Sequence, residues 1–468
     1  MNIYTESFRF NADQYTPVGL YTRLRDKHRM PCLLESNDYH DRTDSKSIIG
    51  LDPILEIILQ NDQLEVRGAS KPDILKKTLS KTAFDQLSEL LHSTKFDASF
   101  EENGFFGRFG FEFVRYEEQQ LKPQQSSLDL PDVHLFIFRY IIVLDHFNDE
   151  GTLLKNSFEL GDLIAPNEKH DLLSSGTSNE FPFYLIGQER SEMNEDEFKE
   201  LVAKGIYHCH RGDVFQIVLS NAYAQDYFGD DFQVYRKLRR LNPSPYLFYF
   251  DFESYRLMGS SPEAQLLINN NKAEIHPIAG TVKRNSDETT DKKAINALIT
   301  SEKELSEHTM LVDLARNDLS RKATNVKVDV FRELQRFSHV FHLVSKVSGE
   351  IESNSQFDLF NETFPAGTLS GAPKPKALEL IIAFEKESRD YYGGAIGFFK
   401  LGSSMNMAIV IRSILSKNGT LNYRAGAGIV LDSTPEGEFA EVKNKLRAVR
   451  NAIQLTSEIQ QYNETNSY

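Results

Sequence analysis

An α+β fold is what the sequence predicts, because many short apolar, strand-like runs alternate along the chain with stretches of helical periodicity. Residues 135–144 (LFIFRYIIVL) read as a fully buried strand. Residues 301–318 (SEKELSEHTMLVDLARND) read as a helix with Leu305, Met310, Leu311 and Leu314 on its apolar face. Its Glu304 and Glu307 stand three apart, so both carboxylates leave one side. A helix near the C-terminus repeats the arrangement. There Phe439, Val442, Leu446, Val449 and Ile453 form the apolar stripe, and Glu438 and Glu441 stand three apart. Each acidic face on its own is compatible with a solvated surface. Together they match the taste of a hard divalent cation such as Mg²⁺, which takes one or two protein carboxylates plus anionic oxygens from a substrate.

Composition narrows the partners. The chain has 468 residues, 40% of them hydrophobic, enough for a large core and for two or three domains. A net charge of −15 argues against nucleic acid as a partner for the surface as a whole. An anionic metabolite would need a local cationic or metal-bearing site. Cys32 and Cys209 show no pairing pattern and no CxxC, which fits a reducing compartment and excludes a thiolate metal centre. The first residues, MNIYTESFRF, lack a basic head and apolar run, and no stretch approaches 18 apolar residues, so a cytoplasmic chain with no membrane span is expected. Tryptophan is absent, against 33 Phe and 19 Tyr.

In the first half, Cys32-Leu33-Leu34-Glu35-Ser36 is expected to form a strand closing on a turn at Asn37-Asp38. Residues 52–60 read as a short turn and strand, and residues 71–91 as a helix through Ile74, Leu75, Leu79, Phe84, Leu87 and Leu91. Residues 104–110 (GFFGRFG) carry glycines that suggest close backbone approach, since no helix start follows. Polar stretches occupy 117–129 and 161–180, and the second is the expected boundary between regions 1–185 and 186–460.

In the second half, residues 192–210 read as a helix, Arg211-Gly212-Asp213 as a turn, and residues 214–220 as a strand with Gln216 in it. That amide is either a hydrogen-bonding core residue or part of a site. Residues 242–250 open with two prolines and continue as an aromatic strand. Residues 257–263 form a strand whose closing turn presents Glu263, and residues 277–281 (PIAGT) end a strand at a glycine. Residues 364–375 (FPAGTLSGAPKP) lead into a helix and gather N–H groups suited to an anion, without a Walker pattern. Residues 393–398 form a glycine-rich strand, and residues 407–413 a buried strand carrying Arg412. A guanidinium in that position must meet an anion, either a structural carboxylate or a ligand carboxylate. Residues 424–430 (RAGAGIV) again leave room against main chain, and Thr434-Pro435 cap the last helix. The sum describes a site for a small anion, with Glu263 and His342 as candidates for proton transfer.

The segments NPSPYLFYF, GSSPE, PIAGT, ELSEHTMLVDLARND, FPAGTLSGAPK, YYGGAIGFF, VIRS, AGAGIVLDS and PEGEFAEVKNK resemble, in that order, those of the chorismate-utilising enzymes. The similarity spans residues 190–455. LLES at residues 33–36 also resembles the N-terminal region of the anthranilate-forming members. The resemblance implies a large β-sandwich core of mostly antiparallel strands surrounded by helices. It places Glu307 and Glu441 on Mg²⁺ ligands, with Glu304 and Glu438 beside them in the metal shell. It places Gly280, Thr281, Tyr392, Arg412, Gly426, Ala427 and Gly428 at the substrate. Glu263 falls on the acid that helps the ring 4-hydroxyl leave, and His342 on a histidine of the same site. Ser36, Pro245, Tyr246 and Leu247 fall where tryptophan binds as feedback inhibitor.

Two positions discriminate within the family. Members that add water resemble this chain but carry a lysine base where Gln216 stands. Many members that make aminodeoxychorismate carry a nucleophilic lysine where Ala279 stands. The expected reaction is therefore Mg²⁺-dependent conversion of chorismate and ammonia to anthranilate and pyruvate, the first step of tryptophan biosynthesis. No glutaminase signature is present, so a separate amidotransferase subunit is the expected source of ammonia from glutamine. The alternatives are aminodeoxychorismate formation and a non-catalytic amino-acid sensor.

Overall fold

Antiparallel pairing organises the molecule. The computed structural model describes residues 1–36, 45–68, 82–98, 100–174, 181–284, 287–336 and 340–465. Among these residues 22 strands form one connected sheet. The parallel pairing among them is the short contact of Asn2–Asn11 with Lys95–Phe96.

Two arms leave the central pair Lys46–Gln60 and Val133–Asp145. One runs through Cys32–Glu35, Tyr246–Asp251, Arg256–Ser261, Ser413–Lys417 and Thr420–Ile429 to Gln216–Gly229. The other runs through Phe105–Phe109, Ala395–Lys400, Ser404–Ile409, Ala264–Asn269 and Lys272–Ile275 to Val340–Glu350. Phe106, Phe136 and Ile409 of one side meet Phe248, Phe250, Leu257 and Leu415 of the other in a common inner core, so the arms lie face to face. Strand alternation sends the neighbours Leu33, Ile49 and Ile137 to a second core. Each buried Phe or Leu contributes about 1.5–3 kcal/mol, which makes these cores the main source of stability.

Helices cover the sheet. Pro435–Thr465 packs on Thr420–Ile429, Glu195–His210 and Phe232–Leu241, while Glu302–Ser320 packs on Ile278–Lys283, Thr324–Arg336 and Val340–Glu350. Their starts follow from local chemistry. The Ser301 hydroxyl accepts from the Glu304 N–H at 3.3 Å, and Thr434 Oγ1 accepts from the Gly437 N–H at 3.2 Å. The second helix runs on to Thr465, beyond the expected stripe.

Several expectations need correction. Residues 52–60 belong to one 15-residue strand, Lys46–Gln60, which absorbs Pro53 with a register shift between Pro53 and Leu55. The strand expected to stop at Gly280 starts there instead, as Ile278–Lys283, with a bulge between Ala279 and Thr281. Residues 407–413 are two strands, and Arg412 sits in the break between them at φ +49°. The 161–180 stretch contains the helix Pro166–Leu173. The expected turn at Asn37-Asp38 and the first part of the 71–91 helix lie outside the described residues; the rest is the helix Ala83–Ser93. Strands of region 1–185 pair directly with strands of 186–460, as Cys32–Glu35 does with Tyr246–Asp251 and Phe105–Phe109 with Ala395–Lys400.

Candidate active site

Glu263 stands just beyond the Arg256–Ser261 strand, its carbonyl accepting from the Ile409 N–H at 3.0 Å. Burial pushes its carboxyl up to about 7, against the lowering effect of the Thr368 hydroxyl, Arg412 and Lys445. Thr368 donates to Glu263 Oε1 at 3.1 Å. Thr368 lies in the helical turn Gly367–Ser370, within the loop expected to seat an anion. The helix that follows starts at Lys374, whose ammonium is held by the buried Asp318 at 2.8 Å, so the chain's own carboxylate uses that cation.

Arg412 faces this group. Its backbone is pinned by the Ser260 N–H on its carbonyl at 3.2 Å. It makes no ion pair among the described residues. Burial lowers the pKa of its guanidinium, and the fields of Glu263 and Glu441 oppose that shift. A guanidinium so placed is built for an anion from outside. A left-handed conformation at a non-glycine residue is costly, and here it aims the side chain.

Gly280 and His342 close another side. Gly280 has φ +70°, and a Cβ there would lie 2.6 Å from Leu298 Cδ1 and 3.1 Å from Glu304 Oε2. Glu304 therefore looks at this glycine. His342 pairs in register with Thr281. Burial and the Arg412 charge depress His342 to about 4, opposed by a hydrogen bond with the Gly280 backbone, so the imidazole is neutral at pH 7. The side chain of Thr281 lies outside those described.

The third wall is the pair of strands Gln216–Gly229 and Thr420–Ile429. Gly426 opposes Ser220 and Gly428 opposes Val218. A Cβ on Gly426 would meet Tyr392 Oη at 3.2 Å. Burial raises the Tyr392 phenol to about 12. Ala427 alternates to the other face and is buried in the core beneath the helices, so only its backbone is available to a substrate. Lys445 Nζ donates to the Gly426 carbonyl at 3.0 Å and lies 3.6 Å from Glu441. Sequence reasoning missed this lysine, although its i,i+4 spacing from Glu441 was visible.

A buried ion cluster also went unread. Glu385 accepts from Arg389 Nη2 at 2.6 Å, from Arg424 Nη1 at 3.1 Å and from the Ser220 N–H at 2.8 Å. These cations hold its carboxyl below the usual range against its burial. The cluster braces Ser220, directly across from Gly426.

Four glutamates stand on two helices. Glu304 is placed by Gly280 and Glu441 by the field it exerts on Arg412, while Glu438 accepts from the Ser433 hydroxyl at 2.7 Å. Glu307 lies three residues along the same helix from Glu304. Among the described residues no three of His, Cys, Asp and Glu are grouped closely enough to hold a metal between them. An all-carboxylate donor set nevertheless fits a hard cation that takes one or two protein oxygens and the rest from substrate and water.

Ser36, Pro245, Tyr246 and Leu247 line one cavity of about 650 Å³, together with Lys46 and Glu102. It lies between Tyr246–Asp251 and Ser404–Ile409, and its wall residue Ala408 adjoins Ile409, the residue bonded to Glu263.

Known proteins resemble this chain over most of its length. A model of the chorismate binding enzyme family matches residues 4–451. Anthranilate synthase component 1 of Aquifex aeolicus (strain VF5) is 32% identical, over 98% of this chain and 96% of the relative. The protein of the same name from Saccharolobus solfataricus is 37% identical, over 75% of this chain and 80% of its own. The crystal structure of anthranilate synthase component I from Streptococcus pneumoniae superimposes with a TM-score of 0.76 at 28% identity, covering 94% of this chain and 98% of that one. The menaquinone-specific isochorismate synthase of Escherichia coli, at 18% identity and TM-score 0.74, covers 96% of this chain and 94% of its own and shares the fold.

Proposed function

The chain belongs to the chorismate binding enzyme family, and we propose that it converts chorismate and ammonia to anthranilate and pyruvate. The relatives' shared name supports that reading. The observation that carries it is Glu263, a buried carboxyl kept near neutrality beside an unspent guanidinium.

Arg412 binds one carboxylate of chorismate, and Gly280, Gly426 and Gly428 leave room for the ring against main chain. When bound, Mg²⁺ would be held by Glu307 and Glu441, with Glu304 and Glu438 beside them, and would stabilise charge on the ring carboxylate. Thr368 occupies Glu263 Oε1, which leaves Oε2 to carry the proton toward the departing 4-hydroxyl. Ammonia adds at the ring carbon next to the carboxylate as the C–O bond breaks and water leaves. Loss of a ring proton and of pyruvate then gives the aromatic product. His342 stays neutral and orients polar groups beside Gly280.

Region 186–460 supplies this chemistry, and region 1–185 contributes Ser36 to a pocket that binds tryptophan as inhibitor. Ammonia reaches the site from glutamine through a separate amidotransferase subunit. The test is the fluorescence of anthranilate during incubation of the purified chain with chorismate, Mg²⁺ and ammonium. A product that stays non-fluorescent and amino-bearing would instead assign aminodeoxychorismate formation, and untouched chorismate would assign a sensor.

A further inference from the structure

Resting on the Mg²⁺ reading above, we propose that His308 and Ser345 are positioning residues for the metal. Their hydrogen bond sets where the acidic helix Glu302–Ser320 stands, and with it Glu304 and Glu307. On that helix His308 lies one turn beyond Glu304 and next to Glu307. Its stripe continues through Val312, Ala315 and Leu319, which are buried in the core. His308 itself is fully buried, and so is Ser345 of the strand Val340–Glu350. His308 Nε2 and the Ser345 hydroxyl stand 2.6 Å apart. Ser345 is fixed in turn. Its N–H donates to the Pro277 carbonyl at 3.0 Å, and its hydroxyl accepts from the Arg332 N–H at 2.9 Å. The Arg332 guanidinium closes the circle, donating from Nη2 to the Leu305 carbonyl at 2.8 Å and to Thr309 Oγ1 at 2.6 Å. Arg332 holds φ +57° to do so, a costly conformation for a residue with a side chain.

Apolar packing alone does not account for a histidine here. A leucine would fill the stripe, but hydrophobic contact is non-directional and lets a helix slide or turn. A hydrogen bond has a preferred distance and angle. Two buried polar groups that lose one another are also left unsatisfied, which penalises every other placement of the helix. The pair thus selects one placement, a single turn from Glu304. The strand that supplies Ser345 also carries His342, three residues earlier, and pairs with Ile278–Lys283, the strand of Gly280. Glu304 Oε2 stands 3.1 Å from where a Cβ on Gly280 would lie. One bond therefore references the metal carboxylates to the strands that form the substrate's wall. In this role His308 holds no metal and moves no proton.

Isothermal titration of the purified full chain with Mg²⁺ in the presence of chorismate tests this, with thermal unfolding of the ligand-free protein alongside. His308→Leu, which keeps the stripe apolar, and Ser345→Ala are each expected to raise the Kd for Mg²⁺ about tenfold or more, as lost support of metal ligands does. The ligand-free Tm should fall by no more than about 4 °C, the effect of one lost hydrogen bond. His308→Gln, which still reaches the Ser345 hydroxyl, should recover the affinity that His308→Leu loses. Unchanged Mg²⁺ affinity in His308→Leu or, should that variant not fold, in Ser345→Ala overturns the inference. So does a His308→Gln that binds Mg²⁺ no better than His308→Leu, which would mark His308 as packing alone. If the unsubstituted protein binds no Mg²⁺ with chorismate present, or Glu307→Gln binds it equally well, the metal reading is wrong and the inference falls with it.

Discussion

Glu263 differs from an ordinary surface glutamate in one respect, that it still holds its proton near pH 7. As a proton donor it is active below its pKa, so turnover is expected to fall as pH rises through about 7. Glu263→Gln should lower kcat by about 10²–10⁴-fold and abolish that limb of the profile. A limb that persists in the variant would move the acid elsewhere. The same shift acts on folding. A carboxyl whose pKa is raised in the folded state favours folding at low pH, and that advantage is lost as pH rises through the folded value. Glu263 was legible in the sequence as the residue a strand-end turn presents. Its titration was not, because burial in the folded protein raises it, and Thr368 and Arg412, which oppose that shift, stand more than a hundred residues further along the chain. The core-facing side chain of Ala427 was not legible either, since sequence similarity does not say which face of a strand a side chain takes.

At the scale of elements, the two acidic helices were read correctly, and the Thr434 cap of the second with them, because a cap residue followed by an apolar 3.6-residue stripe is local information. Strand ends were read less well. A bulge at Gly280 and the break at Arg412 are fixed by partner strands, which no local window contains. The break matters for function, since it turns an arginine that would have lain along a strand into one that faces Glu263. Glu307→Gln and Glu441→Gln are each expected to abolish Mg²⁺-dependent turnover. Isothermal titration with Mg²⁺ in the presence of chorismate should show the matching loss of metal binding. Turnover at the unsubstituted rate in either variant, still sensitive to chelator, would remove that residue from the metal.

At the scale of the whole molecule, the α+β class and the sandwich of antiparallel strands follow from the alternation of short strands with helices and from the family resemblance. The interleaving of early and late strands was not legible beyond that resemblance, because it depends on pairings such as Leu33 with Tyr249, far apart in the chain. That interleaving puts a 650 Å³ cavity beside Ser36 and Tyr246 and one strand residue away from the anchor of Glu263. A ligand in that cavity is expected to reach the active site through the main chain of Ala408 and Ile409. Because the protein has no tryptophan of its own, fluorescence excited at the red edge of the indole band comes from the ligand tryptophan, and its change on binding reads the affinity without background from the protein's own indoles. Ser36→Arg is expected to raise the Kd for tryptophan by about tenfold or more, the cost of filling the cavity with a cation. Unaltered affinity would place the inhibitor elsewhere.

The reaction itself is tested most directly by the fate of labelled nitrogen. Purified protein given chorismate, Mg²⁺ and ¹⁵N-ammonium should yield anthranilate carrying the heavy nitrogen, with pyruvate in equal amount, and Glu263→Gln should yield neither at a comparable rate. Label recovered in a non-aromatic amino acid with no pyruvate, or chorismate returned unlabelled and intact, would contradict the proposed chemistry.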